Sequence, residues 1–301
     1  MAKALLLVVV GISVVAFGSP VEIGNVSGLA EVAFSLDGAT LAVAGTNGVY
    51  LLDVRGRREQ ERLDFGGLVL SLAYSPGGEY LAAGAWNEIR VWDVNSREVV
   101  EKLSDDMGQV QALSFTPDGQ LLVGTGRGEV CLWSVEEESP LWCHRAHGNT
   151  VYDVAVSSDG SRAASGGGDQ AVLWDIEEGT IIEEFPGRAW TVDFSPDVSL
   201  LVVGEGKVVR AWDTSARLEL YGVQRHTGCI WSVSFSPDGR LLATGSLDET
   251  VRLWDPESGQ LLHTWEEHEA SVRTVDFHPD GRYVASGCGN GRVLLWELPD
   301  G

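Results

Sequence analysis

The chain has 301 residues, 44% of them hydrophobic, and sets 21 basic against 44 acidic side chains for a formal net charge of −23. That apolar content is ample for a buried core, whereas the charge repels phosphate backbones and anionic lipid and so argues against nucleic acid or a membrane surface as partner. The longest acidic run, Glu136 to Glu138, is short and falls in a predicted turn, so the charge is spread over solvated loops.

Residues 1–18 differ from all that follows. Lys3 precedes an uncharged apolar run from Ala4 to Phe17, and Ala16 and Gly18 are small residues at cleavage-site spacing. The pattern predicts a secretory signal peptide over 1–18, cut between Gly18 and Ser19. A membrane span needs about twenty apolar residues, more than this run offers. Retention of 4–17 as an anchor, or use of Leu5 to Val10 as a buried strand, are the alternatives.

From residue 28 onward the chain repeats. An apolar or aromatic residue meets an acidic or polar one at Leu52–Asp53, Trp92–Asp93, Trp133–Ser134, Trp174–Asp175, Trp212–Asp213, Trp254–Asp255 and Trp296–Glu297, at intervals of 38 to 42 residues. A sustained period of that length marks a repeat architecture. The sixth unit reads most clearly. Ile230, Ser232 and Ser234 alternate with Trp231, Val233 and Phe235, the period-two pattern of a strand. Ser236–Gly239 is a turn in which Pro237 presets φ and Gly239 takes the positive φ. Leu241 to Thr244, Val251 to Trp254 and Leu261 to Trp265 supply three further strands.

Turns of the same kind recur at Ser35–Gly38, Ser75–Gly78, Thr116–Gly119, Ser157–Gly160, Ser195–Val198 and His278–Gly281. Val198 is expected to force a different turn, because positive φ is costly for a β-branched residue. The strands carry Val, Leu and Ala on both faces, so each sheet needs a neighbour on either side. The fold class is therefore all-β, with unit cores near 28–57, 67–97, 108–138, 147–179, 187–217, 226–259 and 268–301.

The run from His226 to Asp255 resembles the consensus of the WD-repeat β-propeller family, and the likeness extends over 19–301. It implies a single seven-bladed propeller around a central channel. Unit 7 reaches Trp296 in its third strand with five residues left, so the resemblance implies that Pro20 to Ile23 supplies its missing outer strand.

The resemblance also implies a hydrogen-bond network within a blade. Its members would be His226, Thr244, Asp248 and Trp254 in unit 6, then His147, Ser165, Asp169 and Trp174 in unit 4. Unit 7 would use His268, Ser286, Asn290 and Trp296. A His, Ser and Asp set suggests a nucleophilic triad when seen once, but recurrence in three units points to structural staples. Units 1, 2, 3 and 5 lack the set and should rest on packing.

Other polar groups invite chemistry. Cys143, His144 and His147 lie close in sequence, yet His147 is expected in the network and His144 on an outer strand, so zinc is not expected. Copying the unit 6 turn onto 135–139 sets Cys131 opposite Cys143, so either a cross-strand disulfide or two buried thiols results. Cys229 and Cys288 fall near one rim. The glycines at 124–128 and 166–168 sit in strand turns without the helix or Lys-Ser/Thr of a phosphate loop. Asp153, Asp193 and Asp276 lie on first strands in differing registers and are not expected to converge.

In the family, partners dock around one channel mouth. Transferred residue by residue, the favoured positions include Trp86, Tyr152, Trp190, Trp231, Leu247 and Arg273, with Ala30, Leu70 and Gln111 completing the first-strand set and Arg188 on the same rim. The expectation is a non-enzymatic, exported scaffold that binds a protein or peptide segment with apolar and basic residues. No cofactor and no nucleic acid is expected, and a membrane only if residues 4–17 are kept. A membrane-anchored assembly factor, and a propeller enzyme or small-ligand binder using the central channel, are the remaining alternatives.

Overall fold

A computed structural model of the chain describes residues 19–137 and 139–298, and the proposed leader at 1–18 lies outside them. The described residues form twenty-seven β-strands and no helix. Unit 6 shows the plan: Ile230–Phe235, Leu242–Ser246, Val251–Asp255 and Gln260–Trp265 pair antiparallel in simple succession. Units 1, 4 and 5 repeat that order.

Unit 7 contributes three strands, Val272–Phe277, Tyr283–Cys288 and Arg292–Glu297. Its fourth is Val21–Asn25, which pairs Val21 with Leu295 and Asn25 with Arg292. On its other side Gly24 packs so tightly on Leu52 of unit 1 that a Cβ there would meet Leu52 Cδ1 at 2.7 Å. The first strand of each unit contacts that of the next, and Val32–Phe34 of unit 1 contacts both Ser71–Tyr74 of unit 2 and Val272–Phe277 of unit 7. The succession of contacts thus returns to its start.

Units 2 and 3 depart from seven separate sheets. One strand, Val99–Phe115, serves as outer strand of unit 2 and first strand of unit 3, so the two form a seven-stranded sheet. The connection stays extended because it is tied down on both sides. Gly108 N–H donates to Asn87 Oδ1 (2.6 Å), Arg127 pairs with Asp106, Trp86 pairs with Gln109, and Met107 is buried.

The core consists of layers between adjacent sheets. Trp174, Trp254 and Trp296 are fully buried, as are Leu41, Leu51, Leu81 and Leu121. Burying a large apolar side chain contributes on the order of 2–3 kcal/mol, and the repeat supplies one such residue at the end of most third strands. Where the polar network is missing, aromatics fill the layer: Phe65 lies against Trp92 and Phe185 against Trp212, with ring centres 6.0 and 4.5 Å apart.

Val198 corrects the expectation of a divergent turn. It takes φ +61° and donates its N–H to Ser195 O at 2.8 Å, as Gly239 does to Ser236 O in unit 6. The turn is held by the same side-chain bonds as in unit 6: Ser195 Oγ donates to Asp197 Oδ1 (2.6 Å) and accepts from Leu200 N–H (2.9 Å). These bonds outweigh a left-handed conformation that costs an L-residue about 1–2 kcal/mol. Val198→Gly should therefore raise the unfolding free energy by about 0.5–1 kcal/mol, after allowing for the entropy of the extra glycine. Urea denaturation checks this, and a lowered midpoint would contradict it.

Candidate functional site at the channel mouth

The first strands do not alternate strictly. In Ile230–Phe235 the inward residues are Ile230, Val233 and Phe235, with Trp231 left exposed between them. The ladder runs Ile230↔Ser246, then Ser232↔Gly245, so Trp231 is the extra residue of a β-bulge. The same break occurs at Tyr152, Trp190 and Arg273, and between Val110 and Ala112 at Gln111. A bulge frees one residue from pairing and re-aims its side chain. Five units thereby turn one residue toward the channel mouth.

There the bulged residues meet Ala30 and Leu70 around one cavity of about 190 Å³. Tyr152, Trp190 and Trp231 form a continuous aromatic row, with centroids 4.3 and 5.0 Å apart. The Arg188 guanidinium carbon lies 5.5 Å from the Trp190 ring centre, within cation–π reach. Tyr152 and Trp190 are half-buried, whereas Trp231 is 40% exposed. Trp86 and Leu247 are not among the residues that line the cavity. The two are 65% and 50% exposed; Leu247 lies in the second-to-third strand turn of unit 6, and Trp86 opens the third strand of unit 2 opposite Gln109, which accepts the Gln111 amide at 3.0 Å.

Below the mouth, Asp153, Asp193 and Asp276 do converge, joined by Glu31, which the sequence reading missed. Their registers differ by two residues, which in a strand leaves both on one face, so they stack along the channel instead of diverging. Each ties its blade to the next. Leu72 N–H donates to Glu31 (2.6 Å), Val192 N–H to Asp153 (3.0 Å), Phe235 N–H to Asp193 (2.8 Å) and Phe34 N–H to Asp276 (2.8 Å). Hydroxyls do the same elsewhere: Thr191 and Thr274 accept from Val233 and Val32. Glu31 precedes its strand at the position that Thr274 and Ser232 occupy in units 7 and 6, and that equivalence is the sequence signal for it.

Enclosure by the channel wall pushes these carboxyls up, Glu31 to about 8, Asp153 to about 6, and Asp193 and Asp276 to about 7. Their mutual repulsion adds to the rise at Glu31 and Asp193, and the N–H donors oppose it.

The staples close in two of three units. In unit 4, His147 Nδ1 faces Asp169 (3.2 Å) and Nε2 faces Ser165 Oγ (2.8 Å), which accepts Trp174 Nε1–H (3.0 Å). In unit 6, His226 faces Asp248 (2.9 Å) and Thr244 Oγ1 (2.7 Å), and Thr244 accepts Trp254 Nε1–H (2.9 Å). Burial holds both imidazoles below the usual range, although the carboxylates pull the other way.

Unit 7 is a correction. His268 and Trp296 both reach Ser286 Oγ at 2.7 Å, but Asn290 is no part of the set. Its amide oxygen takes the Cys288 thiol (2.8 Å) and Arg292 N–H (3.1 Å), leaving His268 Nδ1 buried without a partner. Burial and the nearby Arg292 charge lower His268 to about 4.

Cys131 and Cys143 lie directly opposite and are bridged. The bridge removes Cys143 as a thiolate ligand, and His144 stacks on Trp142 instead. No group of side chains suited to a metal occurs among the described residues. Cys229 and Cys288 are free thiols.

Four-stranded antiparallel sheets arranged around a channel lined by their first strands define a β-propeller. The family model for the WD domain, G-beta repeat, matches residues 64–93, 98–134, 138–175, 219–255 and 259–297, more than half of the sequence. The chain belongs to the WD-repeat family. It is 36% identical over 77 residues to small ribosomal subunit protein RACK1 of Medicago sativa, covering 25% of this chain and 24% of that protein. Over 85 residues it is 33% identical to RACK1z of Arabidopsis thaliana, covering 28% and 26%. A WD-repeat protein of Synechocystis is 34% identical over 86 residues, covering 28% and 25%. The chain thus spans about a quarter of the length of these curated relatives.

The channel acids make stability depend on pH. Raised above their ordinary values near 4, they stabilise the native state fully below about pH 4 and lose that contribution as pH rises through about 6 to 8. Asp193→Asn with Asp276→Asn should flatten this slope, so that the unfolding free energy falls less between about pH 5.5 and about pH 8.5 than in the unaltered chain. Urea titrations at both pH values measure it; parallel profiles would contradict it.

Proposed function

We propose that the chain is a non-catalytic interaction platform, exported across a membrane, whose channel mouth receives a peptide segment of a partner protein. The observation that carries this reading is the set of bulged residues gathered around one cavity. Trp, Tyr and Arg dominate binding hot spots, and the repeat does not require them here. The tryptophans that end the third strands are different residues. An apolar side chain of the partner packs on the Tyr152–Trp190–Trp231 row, while the −23 charge draws in basic residues around it.

A catalytic role is disfavoured by what the polar groups already do. The channel carboxylates accept N–H groups of neighbouring strands, and the His sets staple single blades. Export is supported by the charge and apolar pattern of residues 1–18 and by the Cys131–Cys143 bridge, since such bridges persist in oxidising compartments. The name of the plant relatives places those proteins in the small ribosomal subunit. A chain this acidic is poorly suited to an RNA-rich seat.

Affinity capture from the exported fraction tests the mouth. Trp190→Ala with Trp231→Ala should lose the partner while keeping the β-sheet circular dichroism of the unaltered protein, and an unchanged partner set would refute the reading. Mass spectrometry of the mature chain tests export. A start at Ser19 is expected, whereas an intact leader makes the platform membrane-tethered through 4–17.

A further inference from the structure

A larger cavity, of about 740 Å³, opens where unit 7 meets unit 1. It is lined by the first-to-second strand turns at 36–39 and 279–282 and the third-to-fourth strand turn at 54–57. In an antiparallel sheet those turns lie at the end opposite the second-to-third strand turns, so this cleft and the aromatic mouth occupy opposite faces. Val54, Tyr283 and Leu295 give it apolar walls, and Arg55, Arg57 and Arg282 give it cationic ones.

The acids of the cleft are already engaged. Asp37 accepts the Ser35 hydroxyl (2.7 Å) and Ala39 N–H (2.9 Å), and the first of these bonds does most to hold it below the usual range. Asp280 is met by His278 (2.6 Å) and by Arg282 (2.8 Å), and His278 Nε2–H reaches Gly38 O at 3.0 Å. Arg55 and Arg57 are different. Both are exposed, and neither guanidinium has an ion pair or a hydrogen bond among the described residues. Three arginines against two aspartates leave the cleft at +1, on a chain of −23.

We propose that this seam cleft docks an acidic peptide segment of a partner protein. Carboxylates of the segment pair with Arg55 and Arg57, and an apolar side chain between them rests on Val54, Tyr283 and Leu295. Selectivity follows from the rest of the surface. The net charge of −23 disfavours an acidic segment on the chain as a whole, so the locally reversed field of the cleft steers it to the seam. The site is separate from the mouth and takes partner chemistry of the opposite sign, so both can be filled together.

The test uses the full chain and a fluorescent probe of about twelve Glu, Leu and Gly residues, beside a counterpart with Lys for Glu, read by anisotropy at about 50 and about 300 mM salt. The acidic probe should bind at low salt, lose at least about tenfold in affinity at high salt, and lose about as much in Arg55→Glu with Arg57→Glu. Both positions are exposed turn residues, and an unchanged melting curve verifies that the variant folds. Trp190→Ala with Trp231→Ala should leave acidic-probe binding intact, which separates this site from the mouth. The proposal is overturned by absence of acidic-probe binding, by equal binding to the charge-reversed variant, or by preference for the Lys probe. It is equally overturned if sedimentation shows a dimer that only the charge reversal dissolves, or if anionic phospholipid vesicles bind at the arginines while the probe does not.

Discussion

Every unit of this protein makes a sheet that is apolar on both faces, and such a sheet is stable only between two others. Ala42, Ala44 and Leu51 face one layer while Leu41, Val43 and Leu52 face the next, and all six are buried. A row of such sheets would leave two sticky ends. A closed circle leaves none. The cost of closure falls on the junction between the first and last units, and Val21–Asn25 relieves it by hydrogen bonding to unit 7 while Gly24 packs on Leu52 of unit 1. The carboxylate staples from Asp276 to Phe34 and from Glu31 to Leu72 add directional bonds on either side of unit 1, which lies outside the segments matched by the family model.

Closure also decides where chemistry can sit. First strands crowd around an axis, so their residues must be small or polar on the channel side, and bonds to the neighbouring strand satisfy the polar ones. The bulge at the head of five of these strands is exempt from this. Its residue is unpaired and lies above the crowded zone, so a Trp, a Tyr, an Arg or a Gln fits there equally well. The scaffold therefore fixes the position of a mouth residue without fixing its identity. That freedom makes the choice of three aromatics, one arginine and one glutamine informative about binding.

Much of this was legible in the sequence because it is governed by short spacings. The turn at Ser236–Gly239 depends on residues at fixed offsets, and the staples of units 4 and 6 and the mouth positions are what the resemblance to the WD-repeat family implies at matching positions. What failed were cases in which two local partners compete or a third dimension intervenes. Asn290 stands where Asp169 and Asp248 stand in the other units, but its oxygen lies within reach of the Cys288 thiol in the same turn and is taken by it. Strict alternation in Ile230–Phe235 was misread because a bulge shifts phase without any special residue marking it. The meeting of Glu31, Asp153, Asp193 and Asp276 escaped because a two-residue difference in register keeps side chains on one face, and the four strands come together only in the circle.

The same closure divides the acids into two populations. Turn aspartates such as Asp159, Asp197 and Asp238 are held low, in each case first by the hydroxyl of the serine two residues earlier. Channel carboxylates are held high by enclosure. Position within the unit, not residue type, sets the direction. The field that a distant partner meets is consequently made by the outer turns, and it is strongly negative. The floor beneath the aromatic mouth is different, because near neutral pH part of its carboxyls carry protons. A field of that sign attracts cationic groups from afar, whereas the mouth itself presents an aromatic row with polar residues and Arg273 beside it. Long-range attraction and short-range fit are supplied by different residues, and a partner must satisfy both.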